Sequence, residues 1–570
     1  MPQEAVLDLL EGAARWLDGL SNRDGARICP EHRVEHPGKS AYRIHMGLAL
    51  AKERGTSLAE PAATALRLVR SLVRNSDGAW VFPPGQADRW NCSQMLIDGG
   101  AICDGLGLLL QEAPDALGDA ERREVEDAAS AHAQTYLMPS VLDKPVLAQC
   151  LWGGLGLARV GAALEDPELA QAAIAVVKRA CEEQNADGSW SYYPHGADAG
   201  SEDASSFYQS RHPGFCLAIL DATRTPVAGE GFEGPIRRGL DFLEALHRAD
   251  GLKCRAWEAK RWYFDGRVET ASIPWDIHAL LLGQRALGGA FAARAGRSLE
   301  VLAGSQENDG SVGCGPGNGF QCRTFWTAHT GILASVRGDL GELPGAGPIE
   351  DTSLFADAGL LRMSEGDRVV LVRGRRPVPS PGFGGEAGGG RIVSDGRSGQ
   401  QERIHGPVTG EFVVEGRSRP WAGLRAHSDW LRFCIWRSRC ALRSDGWAAA
   451  ARVLLGATRE ASSFACGDLS SHWDTTARIA TAENGCRVTG SMADRSGRCA
   501  DGIVVTRDYR LRAGVLTVTD RLESMQALER VDYRVPSGAV GVRMDGRPIG
   551  NGYDLRGTAV RSVVIDYRIP

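Results

Sequence analysis

The feature that most constrains this chain is a degenerate repeat running through its first 340 residues. The segments YRIHMGLAL (42–50), ICDGLGLLL (102–110), LWGGLGLARV (151–160), RHPGFCLAIL (211–220), WDIHALLLG (275–283) and AHTGILASV (328–336) share one pattern. Each places a small or turn-tolerant residue ahead of an apolar run with helical spacing. With Gly47, Gly105, Gly154, Gly214, His278 and Gly331 taken as equivalent, the intervals are 58, 49, 60, 64 and 53 residues. That period suits a pair of helices with their connections. Asp-Gly pairs at Asp24-Gly25, Asp77-Gly78, Asp187-Gly188, Asp250-Gly251 and Asp309-Gly310 run in phase with it, and only the third repeat lacks one. Asp-Gly is turn chemistry, because both residues tolerate positive φ. A single amphipathic hairpin cannot bury its apolar face alone, so such units stack, and six of them suit a closed (α/α)6 toroid. The inner helices then start at one end, and the loops before them converge on a cleft.

Near residue 340 the pattern changes. GDLGELPGAGPIEDTS is Gly/Pro-rich and reads as a linker. Beyond it short alternating runs appear at 367–374, 410–416, 430–438, 502–522 and 562–569, with 502–522 reading as a hairpin that turns at Arg512-Ala513-Gly514. Runs of this kind separated by turn residues suggest an antiparallel β-sandwich. The expected organisation is therefore a toroid over 1–340 carrying the cleft, a linker over 341–352, and a C-terminal antiparallel β-sandwich over 353–570.

A chain of 570 residues with 43% hydrophobic and 24% charged residues has the composition of a globular protein of more than one domain. A net charge of −6 argues against a nucleic-acid partner. The N-terminal stretch MPQEAVLDLLEGAARWLDGL is an amphipathic helix rather than a secretory signal, and no run approaches the length of a membrane span. The 14 cysteines show no CxxC or other metal-ligand spacing. A cytoplasmic protein with reduced thiols, no membrane partner, no metal and no cofactor is expected.

The residues that could carry chemistry sit at the expected inner-helix starts. His45, His212 and His329 each stand two residues before the aligned glycine, with Asp104 and Asp276 at or beside the same slot. Helix caps or satisfied core histidines are the plain alternative. His212 differs in following Tyr208 and Arg211 within FYQSRHPGF. β-Elimination of a uronate needs this set of side chains. The C5 proton is acidic only once the neighbouring carboxylate is neutralised, by Arg or Asn, and a Tyr or His must then move protons. Asn91, Tyr208, Arg211 and His212 are the catalytic candidates, and Trp90, Trp275, Trp326, His45, His329 and Arg323 the substrate-binding ones.

With these residues in place the chain resembles the heparinase II/III-like polysaccharide lyases. The resemblance rests on the order of toroid and sandwich, on FYQSRHPGF, and on FADAGLLRMSEGDRVVLVRG (355–374) opening the second domain. It implies cleavage of an acidic polysaccharide or oligosaccharide. Asn91 would then neutralise the carboxylate, and Tyr208 and His212 would form the acid/base pair. The His-rich segment that the family carries early in its β-domain is absent; that stretch contains only His405. A glycoside hydrolase on the same scaffold would need two carboxylates flanking the bond, from Asp98, Asp104 and Asp276. An epimerase-type enzyme or a glycan-binding protein in polysaccharide biosynthesis are further readings. QNADGSW (184–190) resembles a terpene-cyclase repeat, but the chain has no DxDD-type acid motif.

Overall fold

The computed structural model describes residues 2–82, 94–192, 204, 206–228, 231–248, 251–253, 272–289, 291–313, 322–339, 351–374, 388–397, 410–414, scattered positions within 435–455, 468–483, 485–494, 497–528, 531–536, 538–549, 553–554 and 560–569. The chain divides into two compact units. One comprises Met1–Pro194, Phe207–Glu244 and Thr270–Ala346, the other His195–Ser206, Ala245–Glu269 and Gly347–Pro570.

The first unit is built from helices α1 (Pro2–Gly19), α2 (Pro37–Arg54), α3 (Ala59–Ser71), α4 (Gln94–Glu112), α5 (Asp119–His132), α6 (Met138–Asp143), α7 (Leu147–Leu164), α8 (Pro167–Glu182), α9 (Arg211–Ala222), α10 (Glu233–Ala245), α11 (Ile273–Leu287), α12 (Phe291–Gly304) and α13 (Arg323–His329), the last continuing as a 3-10 turn over Thr330–Asp339. Local signals set several ends. Pro37 occupies the first turn of α2, and Gly55 at φ 66° closes it by donating its N–H to Ala51 O. Asp166 caps α8 by accepting from the Glu168 and Leu169 amides.

Helices α2, α4, α7, α9, α11 and α13 with its 3-10 extension pack in that order, and the last returns to α2. This is a closed inner ring of six, with α1, α3, α5, α8, α10 and α12 outside it. Inner helices such as α7 are buried nearly all round, whereas outer ones such as α3 bury one face. The 18-residue α7, with mean hydropathy 1.2, is apolar enough to cross a membrane by composition, and its surface is taken up by α4, α8 and α9. The approach of α4 to α7 is close. A Cβ on Gly100 would meet Trp152 O at 2.7 Å, and one on Gly156 would meet Gly100 O at 2.7 Å.

The Asp-Gly pairs form the expected tight turns. Gly25, Gly78, Gly188, Gly251 and Gly310 have φ of 76°, 91°, 86°, 83° and 91°. The glutamines ahead of two of them act as staples. Gln184 Nε2 donates to Gly188 O and Pro235 O, and Gln306 Nε2 donates to Gly310 O and Leu9 O. This is what the QNADGSW segment does: Gln184 and Trp190, whose indole donates to Ala180 O, fasten a turn to the surrounding helices.

One expectation fails here. The aligned residues were placed at helix starts, but α2 and α4 begin many residues earlier, so His45 and Asp104 lie inside their helices and cap nothing. The apolar run that marks each repeat is only the later part of its helix: α2 opens on Pro37-Gly38-Lys39-Ser40 and α4 on Gln94-Met95-Leu96-Ile97, well ahead of the aligned residues.

The second unit contains three antiparallel sheets. The first orders Asp351–Phe355, Leu360–Glu365, Arg368–Arg373 and Arg391–Arg397, so strand begins at Asp351 rather than at 353. The second has seven strands, centred on Val560–Ile569, Val515–Leu528 and Ile503–Arg512. The third has four strands, with Glu411–Val414 beside Val531–Arg534. Leu361 and Val370, Val505, Leu516 and Val563, and Phe412 and Val531 contribute to one core, which makes the unit a sandwich. The 503–528 hairpin turns at Ala513 (φ 52°) and Gly514 (φ 69°), the two positive φ values that a tight hairpin with native twist requires. Within 430–438, read as a strand, the described Ile435 and Ser438 are helical; short apolar runs fit either period.

Candidate functional site

The N-terminal halves of the inner helices meet in a buried aromatic cluster. Tyr42 and Lys39 come from α2, Trp152 from α7, Arg211 and Phe215 from α9, Trp275 from α11, and Phe325 and His329 from α13. Trp275 lies 5.0 Å from Trp152, 5.2 Å from Phe215, 6.0 Å from Tyr42 and 5.1 Å from His329, centroid to centroid. The inner-helix starts therefore do converge on one end of the ring.

Polar contacts orient the cluster. The Trp152 indole donates to Tyr42 Oη at 3.1 Å, and the Trp275 indole donates to His329 Nδ1 at 3.1 Å. Since His329 Nδ1 accepts, the ring's proton is on Nε2, a buried donor with no hydrogen-bond partner among the described residues. Burial, then Lys39 and Arg211, holds His329 well below the usual imidazole range. Lys39 Nζ pairs with Asp98 Oδ1 at 3.1 Å and lies 4.9 Å from the Phe325 ring. Burial and the Asp104 charge push Tyr42 well above the usual phenol range, so it stays protonated.

The FYQSRH segment is divided by helix geometry. Arg211 is fully buried; its guanidinium lies 5.3 Å from Trp275 and 5.7 Å from the Tyr208 ring, and Nη1 donates to Phe207 O and to Ser272 Oγ. Phe215, one turn on, shares this inward face. His212 is about 100° round the helix. It stacks on Trp190 at 4.8 Å with 6° between planes, and Trp190 in turn packs on the outer layer through Ala180 and Gly239. His212 Nδ1 donates to Tyr208 O at 2.9 Å, leaving the lone pair on Nε2. Burial holds this imidazole down at about 3. His212 is thus neutral, and it fixes the backbone of Tyr208.

The other candidates are distributed differently. Trp275 belongs to the inner cluster, and Trp326 is buried on α13. His45 Nε2 lies 3.4 Å from Asp104, whose other oxygen is 3.3 Å from Arg159 Nε, forming a buried chain across α2, α4 and α7. Arg323 turns to the α1 side, bonding Glu31 at 3.2 Å and lying 5.9 Å from the Trp16 ring. Trp90 and Asn91 lie outside the described residues.

Sequence reading missed two groups. Lys39 and Tyr42 stand three apart in KSAYRIH, a helical spacing hidden because the helix was expected to start after them. The second group is Cys29, His32, His36 and Cys322, all buried, whose ligand atoms lie within 4.8 Å of one another. A Cys-x2-His-x3-His spacing was its local signal, with the fourth member far away in sequence. The eight described cysteines are all unbridged.

The chain matches no protein-family model and no curated protein. Solved structures do resemble it. Chondroitin AC lyase from Streptomyces coelicolor A3, determined in complex with chondroitin sulphate, aligns over 100% of this chain and 77% of its own at 12% identity, TM-score 0.49. Heparinase III aligns over 93% of this chain and 76% of its own at 10% identity, TM-score 0.46. The unsaturated glucuronyl hydrolase of Bacillus sp. GL1 aligns over 61% of this chain and 100% of its own at 14% identity, TM-score 0.43. Each likeness is one of fold.

Proposed function

We propose that the protein is a polysaccharide lyase that cleaves a uronate-containing glycan by β-elimination, with Tyr208 as the proton carrier. The observation that carries this reading is the buried Arg211 guanidinium 5.7 Å from the Tyr208 ring. A cation there offers a counter-charge to a uronate carboxylate. In the reaction the C5–H bond breaks and its electron pair forms the C4–C5 double bond. The C4–O4 bond breaks, and the leaving oxygen takes a proton. One tyrosine can accept the first proton and return it to O4. The His329 Nε2–H supplies a further donor for the carboxylate. His212, expected from sequence to share the proton transfer, is in this reading a positioning residue that holds Tyr208 through its carbonyl. Asn91 keeps its expected role as a further carboxylate ligand.

A hydrolase would need two carboxylates flanking the bond, one of them as general acid. Of the three candidates, Asp98 Oδ1 lies 3.1 Å from Lys39 Nζ and Asp104 Oδ1 3.3 Å from Arg159 Nε, so two are already engaged by cations of the ring, which supports the elimination reading.

Uronate polysaccharides incubated with the protein should yield the ultraviolet absorbance of a conjugated unsaturated uronate. Tyr208→Phe should lower kcat by about 10²–10⁴-fold with KM little changed. His212→Asn should lower kcat less and leave the acid limb of the pH profile in place, since the imidazole does not titrate in the cycle. Full activity in Tyr208→Phe, or products without the double bond, would overturn the assignment.

A further inference from the structure

Cys29, His32, His36 and Cys322 are brought together by two separate pieces of the helical ring. Cys29 and His32 sit on a tight loop between α1 and α2, closed by Cys29 N–H to Val34 O at 2.9 Å and Arg33 N–H to Cys29 O at 2.8 Å. Arg33 adopts φ 62°, a left-handed conformation costly for a residue with a Cβ, and the loop holds it there. His36 ends the loop just before α2, and Cys322 immediately precedes α13, the last helix of the ring. All four side chains are buried.

The spacing of the donor atoms is informative. A tetrahedral zinc with ordinary bond lengths sets its ligands roughly 3.3 Å apart for two nitrogens and roughly 3.6 Å apart for nitrogen and sulfur. Here His32 Nδ1 and His36 Nε2 are 3.2 Å apart, Cys29 Sγ and His32 Nδ1 3.7 Å, and Cys322 Sγ and His36 Nε2 3.7 Å. We propose that these four residues form a structural zinc site, of the two-sulfur, two-nitrogen type, that fastens the first hairpin of the ring to the last. Four protein ligands close the coordination sphere, so the metal has no open position for substrate chemistry. Binding replaces two thiol protons with one Zn²⁺ and leaves the centre neutral.

The position gives the site its purpose. A ring of hairpins has one seam where chain end meets chain start, and no peptide connection spans it. Along the seam the contacts include Gln306 Nε2 to Leu9 O at 3.0 Å, Arg323 to Glu31 at 3.2 Å and Arg337 to Glu53 at 3.0 Å. The Arg323 and Arg337 links have partly exposed members and are individually weak. Coordination bonds from both sides would outweigh them.

The test uses the full chain purified under reducing conditions without chelator. Metal analysis should find one zinc per chain, and Cys29 and Cys322 should resist thiol reagents until a strong chelator is added. Replacement by Co²⁺ should give the intense visible bands of tetrahedral cobalt with sulfur-to-cobalt charge transfer. Cys322→Ser and His36→Ala should lose the zinc, whereas Cys499→Ser, in the sheet unit, should keep it. If those two variants fail to fold, the wild-type cobalt spectrum and thiol protection still decide. Folded wild-type protein that takes up no stoichiometric zinc, a six-coordinate cobalt spectrum, or a Cys29–Cys322 disulfide in the reduced preparation would each overturn the proposal.

Discussion

The helical ring and the sheet sandwich differ in the polar groups they bury. In the ring they include, beside ion pairs such as Lys39 with Asp98, a set of neutral imidazoles: burial depresses His45, His132, His212, His278 and His329, with His132 at about 4 and His212 and His278 at about 3. In the sandwich they are paired ions. Arg507 meets Asp520 at 3.2 Å with both fully buried, and Tyr533 Oη donates to the same carboxylate at 2.6 Å. Arg368 grips Asp395 through two bonds of 2.8 and 2.7 Å. Mutually neutralised charges are committed to structure, whereas neutral imidazoles and their unsatisfied donors can still receive a charged ligand. The elimination proposed above draws on the groups of the ring.

The largest expected effect is of pH. An imidazole depressed in the folded state binds fewer protons there than in the unfolded chain, so stability is complete above the unfolded value of about 6.5 and falls as pH drops toward 3–4. Each such histidine contributes up to about 1.4 kcal/mol per pH unit within its window, and the ring holds five. Among the described residues of the sandwich only His472 is so depressed, and its low-lying carboxylates, Glu411 and Asp508, lose their contribution only below the usual carboxylate range. Acid titration followed by circular dichroism should therefore lose helical signal before sheet signal; the reverse order would break the comparison.

Asp520→Ala would leave Arg507 buried without its partner and should cost about 3–5 kcal/mol in denaturant titrations. A cost near zero would mean that the pair is not the sandwich's internal support. Gly156→Ala puts a Cβ against the backbone of α4 and should cost about 1–3 kcal/mol, confined to the ring. Arg70→Ala, which removes a surface pair with Glu124, should leave the melting temperature unchanged.

The ring was legible because every hairpin repeats an apolar run and all but the third an Asp-Gly turn, and the positive φ of Gly25, Gly78, Gly188 and Gly310 is what Asp-Gly chemistry demands. The hairpin at Ala513-Gly514 was legible for the same local reason. The site was less so. Hydrophobic periodicity marks where a helix meets the core, not where it begins, so it does not single out Lys39 and Tyr42, and it puts at a helix start a residue, His45, that lies inside α2. His212 and Arg211 are neighbours in sequence yet face different layers, a distinction that depends on where α9 starts. Cys322 joins its three partners across almost the whole ring, a closure that no local pattern encodes.

Elimination at a site in the ring, as proposed, is tested most directly by the fate of solvent oxygen. A uronate polysaccharide should be digested in water enriched in heavy oxygen and the products examined by mass spectrometry. Elimination breaks the C4–O4 bond without adding water, so fresh products should carry an unsaturated uronate and no label beyond slow exchange at the reducing end, and Tyr208→Phe should abolish them. Saturated products each carrying one solvent oxygen from the moment of cleavage would show hydrolysis and contradict the account.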